Sequence, residues 1–260
     1  MNLWMIVGGF FVGAMIGMTG MGGGLLMTPL LILGFGVAPS IAVGTDLVFA
    51  ATTKLFGAWQ HWRQKTVDFA LLRYVAMGSV PGTLLGGFCV RLLKQSAGGQ
   101  SEIWMSKTLA IVFLFIALIM ILQVIKSFRG SSIHAVQREP FATSHMNRYL
   151  VAVIGFLVGF LVAVTSVGSG TLFMALLLYF YPLSVSKLVG TDIVHGVLIT
   201  ALAALIHWGI GTIDLRMVLN LTAGSIIGVL VGSRMSVKIP DLILRIVLIV
   251  ILVLSSVKLL

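Results

Sequence analysis

Two aspartates stand in nearly the same setting. Asp46 ends the run Ala42-Val43-Gly44-Thr45-Asp46, and Asp192 ends Leu188-Val189-Gly190-Thr191-Asp192. Each lies about two helical turns inside a long apolar segment. A carboxylate inside a bilayer is costly and rare, and points to function. Two roles are open for the pair. They carry protons or pair with a cation, or each caps the broken hairpin of its own half by accepting backbone N–H groups. His195 follows Asp192 by three residues, so the two share a helical face. An Asp–His pair there would make a pH-sensitive relay, or His195 is a satisfied core histidine. Lys54 sits in mid-segment. It would bind an anion, pair with Asp46, or snorkel to the membrane surface.

Two glycine-broken stretches carry the other candidates. They are Thr19-Gly20-Met21-Gly22-Gly23-Gly24 and Thr165-Ser166-Val167-Gly168-Ser169-Gly170. Half-helices beginning at such breaks would aim N–H groups and positive dipole ends inward, which suits an anion. The candidate substrate-binding set is therefore Thr19, Gly20, Gly22, Gly23, Gly24, Thr165, Ser166, Gly168, Ser169, Gly170 and Lys54. The candidate coupling or structural set is Thr45, Asp46, Thr191, Asp192 and His195. The rival reading is that the glycines only allow close helix packing. Catalytic readings fail. Gly168-Ser169-Gly170 resembles a serine-protease motif, but Ser169 matches Gly23 in the other stretch. The glycine runs lack the Gly-Lys-Ser/Thr ending of a nucleotide loop. With one cysteine, Cys89, disulfide and cysteine-cluster metal sites are ruled out. No cofactor and no metal are expected.

The elements that position these residues must be membrane helices. Of 260 residues, 59% are hydrophobic and 9% charged, too few charges to keep the chain soluble. Apolar runs long enough to span a bilayer recur. The net charge of +10 comes from basic residues in short loops between those runs, where the positive-inside rule places them. Nucleic acid is not an expected partner. Met1-Asn2-Leu3-Trp4 has no basic region before the first apolar run, so that run reads as a retained membrane segment.

The chain matches itself at an offset of 146 residues. Gly13 matches Gly159, Thr19 matches Thr165, His61-Trp62 matches His207-Trp208, and Asp68 matches Asp214. Gly78, Gly82 and Gly86 match Gly224, Gly228 and Gly232. Over Ser40 to Val48, six of nine positions are identical. Residues 1–126 therefore read as a first membrane repeat, 127–148 as a polar linker loop, and 149–260 as a second repeat. Each repeat opens with an apolar stretch of 35 residues broken by glycine, Leu3 to Val37 and Tyr149 to Leu183, read as a broken hairpin. Three spans follow in each: 40–62, 69–92 and 103–126, then 186–208, 215–235 and 242–260. A hairpin that re-enters leaves three crossings per repeat, so the repeats are inverted. Placed that way, eleven basic residues fall on one side and five on the other, against nine and seven for parallel repeats. His61-Trp62 and His207-Trp208 read as interfacial anchors, and Asp68 and Asp214 as N-terminal caps.

A family resemblance rests on these residues. Gly20-Met21-Gly22-Gly23-Gly24 is followed by Leu26 and Pro29-Leu30-Leu31. Then come Ala42-Val43-Gly44-Thr45-Asp46, Thr66-Val67-Asp68, and Gly78, Gly82 and Gly86. The whole pattern resembles the TauE/SafE sulfite exporter family, the TSUP transporters, over essentially the full chain. The resemblance implies secondary transport of sulfur-containing anions such as sulfite and sulfonates. The chain departs from the pattern in its second half, where Ala175 stands at the position matching Pro29.

The reading that follows is an all-α polytopic membrane bundle of two inverted repeats. Its function is secondary transport, as an exporter, of small sulfur-containing anions held at two glycine breaks. The rivals are an anion channel and an intramembrane enzyme. The expected setting is the inner (cytoplasmic) membrane, multi-pass. Expected partners are a small anion, the lipid bilayer and a second copy of the chain in a homodimer.

Overall fold

A computed structural model of the chain describes residues 3–19, 24–96, 98–128, 148–168, 170, 173–174, 185–235 and 241–260. Gly20, Gly22, Gly23, Ser169, Ala175, the Thr19 side chain and most of the linker lie outside the described residues.

Among the described residues, all regular structure is helical. The helices are α1 (Leu3–Thr19), α2 (Gly24–Pro29), α3 (Pro39–Arg63), α4 (Phe69–Ser96) and α5 (Ser101–Phe128). They continue as α6 (Arg148–Thr165), α7 (Val185–Ile210), α8 (Leu215–Met235) and α9 (Asp241–Leu259). Six of them, α3, α4, α5, α7, α8 and α9, are long and apolar enough to cross a bilayer. They coincide with the six spans predicted from sequence. The apolar helices of the hairpins, Leu3–Met18, Gly24–Gly34 and Tyr149–Thr165, are shorter. Pro29 lacks an N–H, and the helix widens into a π-helical turn at Leu30–Gly34 directly after it.

The helix ends follow local chemistry. Asp68 Oδ1 accepts the Leu71 N–H at 3.0 Å and caps α4. Asp214 Oδ1 accepts the N–H groups of Arg216 and Met217 at 2.9 and 3.1 Å and caps α8. Both caps are those the sequence predicts. Helix α3 closes with Lys65 in a left-handed conformation (φ 56). The Thr66 N–H returns to the His61 carbonyl at 3.1 Å, and the Lys65 N–H to Trp62 at 3.1 Å. This is a Schellman closure. Helix α7 closes the same way, with Gly211 (φ 73) where α3 has Lys65.

The described chain forms two compact units, and each draws on both sequence halves. One comprises Met1–Ala42, Ala97–Val136 and Asp214–Leu260; the other comprises Val43–Ser96 and Gln137–Ile213. In the first unit, α1 packs along α8 and α5 along α9. A Cβ at Gly9 would lie 2.2 Å from the Leu221 carbonyl oxygen, and one at Gly228 2.1 Å from that of Phe10. The backbones therefore touch, as small residues allow in membranes. The Ser256 hydroxyl donates to the Ala110 carbonyl at 2.8 Å. Glu102 accepts both the hydroxyl and the N–H of Ser40, at 2.5 and 3.1 Å, at the start of α3.

In the second unit, α4 packs along α6 and also meets α7. Its glycines do what their matched positions do in the first unit. A Cβ at Gly82 would lie 2.1 Å from the Phe156 oxygen, and one at Gly155 2.4 Å from the Val75 oxygen. The Thr83 hydroxyl adds a bond of 3.3 Å to the Gly159 carbonyl. The outward faces are apolar: Met77, Leu84, Phe88 and Leu92 are exposed on α4. Ser79 and Thr83 are buried behind them. Such an arrangement suits lipid outside and polar groups inside.

Gly82→Ala is expected to push α4 from α6, destabilising the protein by about 1–3 kcal/mol, the usual effect of overpacking. Gly209→Ala is the control, because a Cβ there meets nothing within 4 Å. Thermal unfolding in detergent compares the two; equal melting temperatures would contradict the close backbone contact.

Candidate functional site

The break after α6 is built by both aspartates. Helix α6 ends at Thr165, whose hydroxyl turns back to the Leu161 carbonyl at 2.7 Å. Ser166 then takes a left-handed backbone conformation (φ 61), which costs an L-residue about 1–2 kcal/mol. Gly168 follows at φ 124, a conformation that favours glycine. Helical bonding resumes with the Met174 N–H on the Gly170 carbonyl at 2.8 Å. Asp46, fully buried on α3, accepts the Ser166 hydroxyl at 2.7 Å. Asp192, buried on α7, accepts the Gly170 backbone N–H. One aspartate thus holds the entry of the break and the other its exit. Asp192 caps the break of its own sequence half, while Asp46 reaches the break of the opposite half.

A cation stands beside them. The half-buried Lys54 ammonium interacts with both carboxylates, more strongly with Asp192. Its end rests against Gly196: a Cβ there would lie 2.6 Å from Nζ. The neighbouring His195 is fully buried. Its Nε2 is 2.8 Å from the Ser79 hydroxyl of α4, and its ring lies 4.6 Å from that of Phe173. Asp192 Oδ1 and His195 Nδ1 are buried and have no hydrogen-bond partner among the described residues. His195 shares a helix face with Asp192, but the hydrogen bond it makes is to Ser79.

Three differences between the two sequence halves converge here. Lys54 matches Thr200, His195 matches Phe49, and Gly196 matches Ala50. These three departures from the repeat meet around one ammonium. The matched positions outside this spot keep common scaffolding chemistry, as the caps and glycine contacts show.

The comparison with known proteins decides the family. A model of the sulfite exporter TauE/SafE matches residues 5–259. The chain belongs to the TauE/SafE sulfite exporter family. It is 39% identical, over the full length of both chains, to the "Probable membrane transporter protein YjnA" of Bacillus subtilis (strain 168). From the same organism, "Probable membrane transporter protein YunE" is 27% identical over 95% of this chain and 94% of its own. No solved structure matches. The chain is therefore a multi-pass membrane transporter and not an enzyme.

Other residues named from the sequence have these places in this TauE/SafE protein. Thr191 accepts the Asp68 N–H at 2.9 Å and donates to the Lys187 carbonyl at 2.7 Å, tying α7 to the start of α4. Thr45 is fully buried on α3, and Gly24 begins α2. His207 is not an interfacial anchor. It is fully buried, with Nδ1 2.9 Å from the Thr212 hydroxyl and Nε2 2.9 Å from the Ala163 carbonyl, so it locks the end of α7. Trp62 and Trp208 beside the two histidines are exposed, as anchors would be. Sequence reasoning missed Ser79, Phe173 and Gly196. Ser79 had one signal, as a hydroxyl inside a glycine series. Gly196 had another, as a departure from the repeat next to His195.

Asp46→Ala removes the acceptor of the Ser166 hydroxyl and is expected to loosen the last turn of α6. Hydrogen exchange should quicken in α6 by about tenfold or more, matching a lost charge-assisted bond of about 1.5–3 kcal/mol. Unchanged exchange would mean that the break does not depend on Asp46.

Proposed function

We propose that this protein is a secondary transporter of the inner membrane that exports small sulfur-containing anions, sulfite or organosulfonates. The family description and the transporter names of its relatives support the class. The observation that carries the site is the Lys54 ammonium, held inside a span beside the glycine break. An intramembrane cation is costly, and its retention in one half alone argues for a task beyond scaffolding. His195 Nε2 pairs with the Ser79 hydroxyl; in the tautomer in which that hydroxyl donates, Nδ1 bears the proton and is a second donor. The break beside them completes a set suited to a compact oxyanion. The chain has no nucleotide-loop motif, so ion or substrate gradients supply the work.

Proteoliposome uptake of radiolabelled sulfite, sulfate, thiosulfate and isethionate tests this. Saturable, selective uptake is expected. Lys54→Met should lower it at least about tenfold, since a hydrogen bond to a charged group contributes about 1.5–3 kcal/mol. Flux that never saturates would make the protein a channel. No uptake of any of the four by folded protein would remove the substrate assignment.

A further inference from the structure

The cluster around Lys54 does not balance its charge. Among the described residues it holds two buried carboxylates, Asp46 and Asp192, and one ammonium. Buried charge without compensation is strongly disfavoured. With both carboxylates ionised, an entering anion would add a further negative charge to a site already in excess.

The two carboxylates are not equivalent. Asp46 Oδ2 is engaged by the Ser166 hydroxyl in holding the break. Asp192 takes one backbone N–H, from Gly170, and its Oδ1 is buried without a hydrogen-bond partner among the described residues. One turn along the same face, His195 Nδ1 is in the same condition. Two buried polar atoms on one helix face, beside an ammonium and without a partner among the described residues, offer a place for a third party. An ionised Oδ1 would repel an anion. A protonated Oδ1–H would donate to it.

We propose that Asp192 is the proton-coupling residue of this transporter, taking up one proton as the anion binds, so that proton and anion cross together. This deepens the anion-transport reading and rests on it. The proton adds to the Asp192 carboxylate, and the neutral acid donates from Oδ1 to an anion oxygen. The anion also takes Lys54, which the neutralised Asp192 no longer holds. His195 Nδ1–H is the third donor. The ionisable groups around Asp192 are Lys54 of α3, with Asp46 beyond it, and His195 of its own helix. Helix α4 brings the Ser79 hydroxyl, and the break brings Ser166 and Gly170; these do not titrate in the working range. A monovalent anion then crosses as a neutral pair. The membrane potential does no work on it, and the gradients of anion and proton set the direction.

Isethionate is the probe, because its sulfonate stays ionised and any proton that moves is carried by the protein. Reconstituted protein, with a pH-sensitive dye inside the vesicles, is given external isethionate at several pH values. Uptake is expected to acidify the lumen one proton per anion. Binding to detergent-solubilised protein should weaken about tenfold per pH unit on the alkaline side, the slope for one linked proton. Asp192→Asn is expected to abolish both the acidification and the pH dependence of binding. Asp192→Glu should restore them, which a merely structural role would not predict, and it serves if the asparagine variant does not fold. Isethionate uptake without acidification, or wild-type pH dependence in Asp192→Asn, would overturn the coupling and leave transport standing. Sulfite uptake without isethionate uptake would overturn it for sulfonates. Uptake of neither by folded protein would remove the transport reading itself.

Discussion

The hydrogen bond from the Ser166 hydroxyl to Asp46 is the constraint on which the centre of this protein depends. A helix stopped inside a membrane leaves backbone groups that lipid cannot satisfy. A left-handed serine adds strain. Two aspartates offset both, one at each end of the break. Their negative charge in turn makes Lys54 tolerable inside a span. Remove the break and the carboxylates have no reason to be buried; remove the carboxylates and the ammonium has none.

That polar centre exists because the helices around it need little else. Glycine brings α4 onto α6, and α1 onto α8, at backbone contact. Packing so close places few bulky apolar side chains between the helices. The interior holds Ser79, Thr83, Asp46, Asp192 and His195 among apolar side chains such as Phe49 and Leu71, while other leucines and phenylalanines face outward. The apolar outward face follows from the solvent being lipid.

Much of this was legible in the sequence, and for physical reasons. The six spans were readable because bilayer thickness fixes the length of an apolar run. Asp68 and Asp214 were readable as caps because capping is local. The contacts of Asp46 were not, since Ser166 lies 120 residues away and the repeat suggested a partner in the same half. His207 misled for a related reason. Its place beside an exposed tryptophan suggested an interface, but its ring turns inward to Ala163. Lys54, His195 and Gly196 were visible one by one as breaks in the repeat, and only the fold shows that they meet.

The bond between Ser256 and Ala110 has a further meaning. These residues are 146 apart, the offset at which the chain matches itself, so each touches its own counterpart. In an assembly of two identical chains, only residues on the twofold axis do this. An alanine facing a serine cannot occur there between identical partners. Joining two copies in one chain lifts that restriction: a position on the axis can differ from its twin. The same freedom lets the first half carry Lys54 where the second has Thr200, and the second carry His195 where the first has Phe49. A change at one of two matched positions therefore does not force the same change at the other.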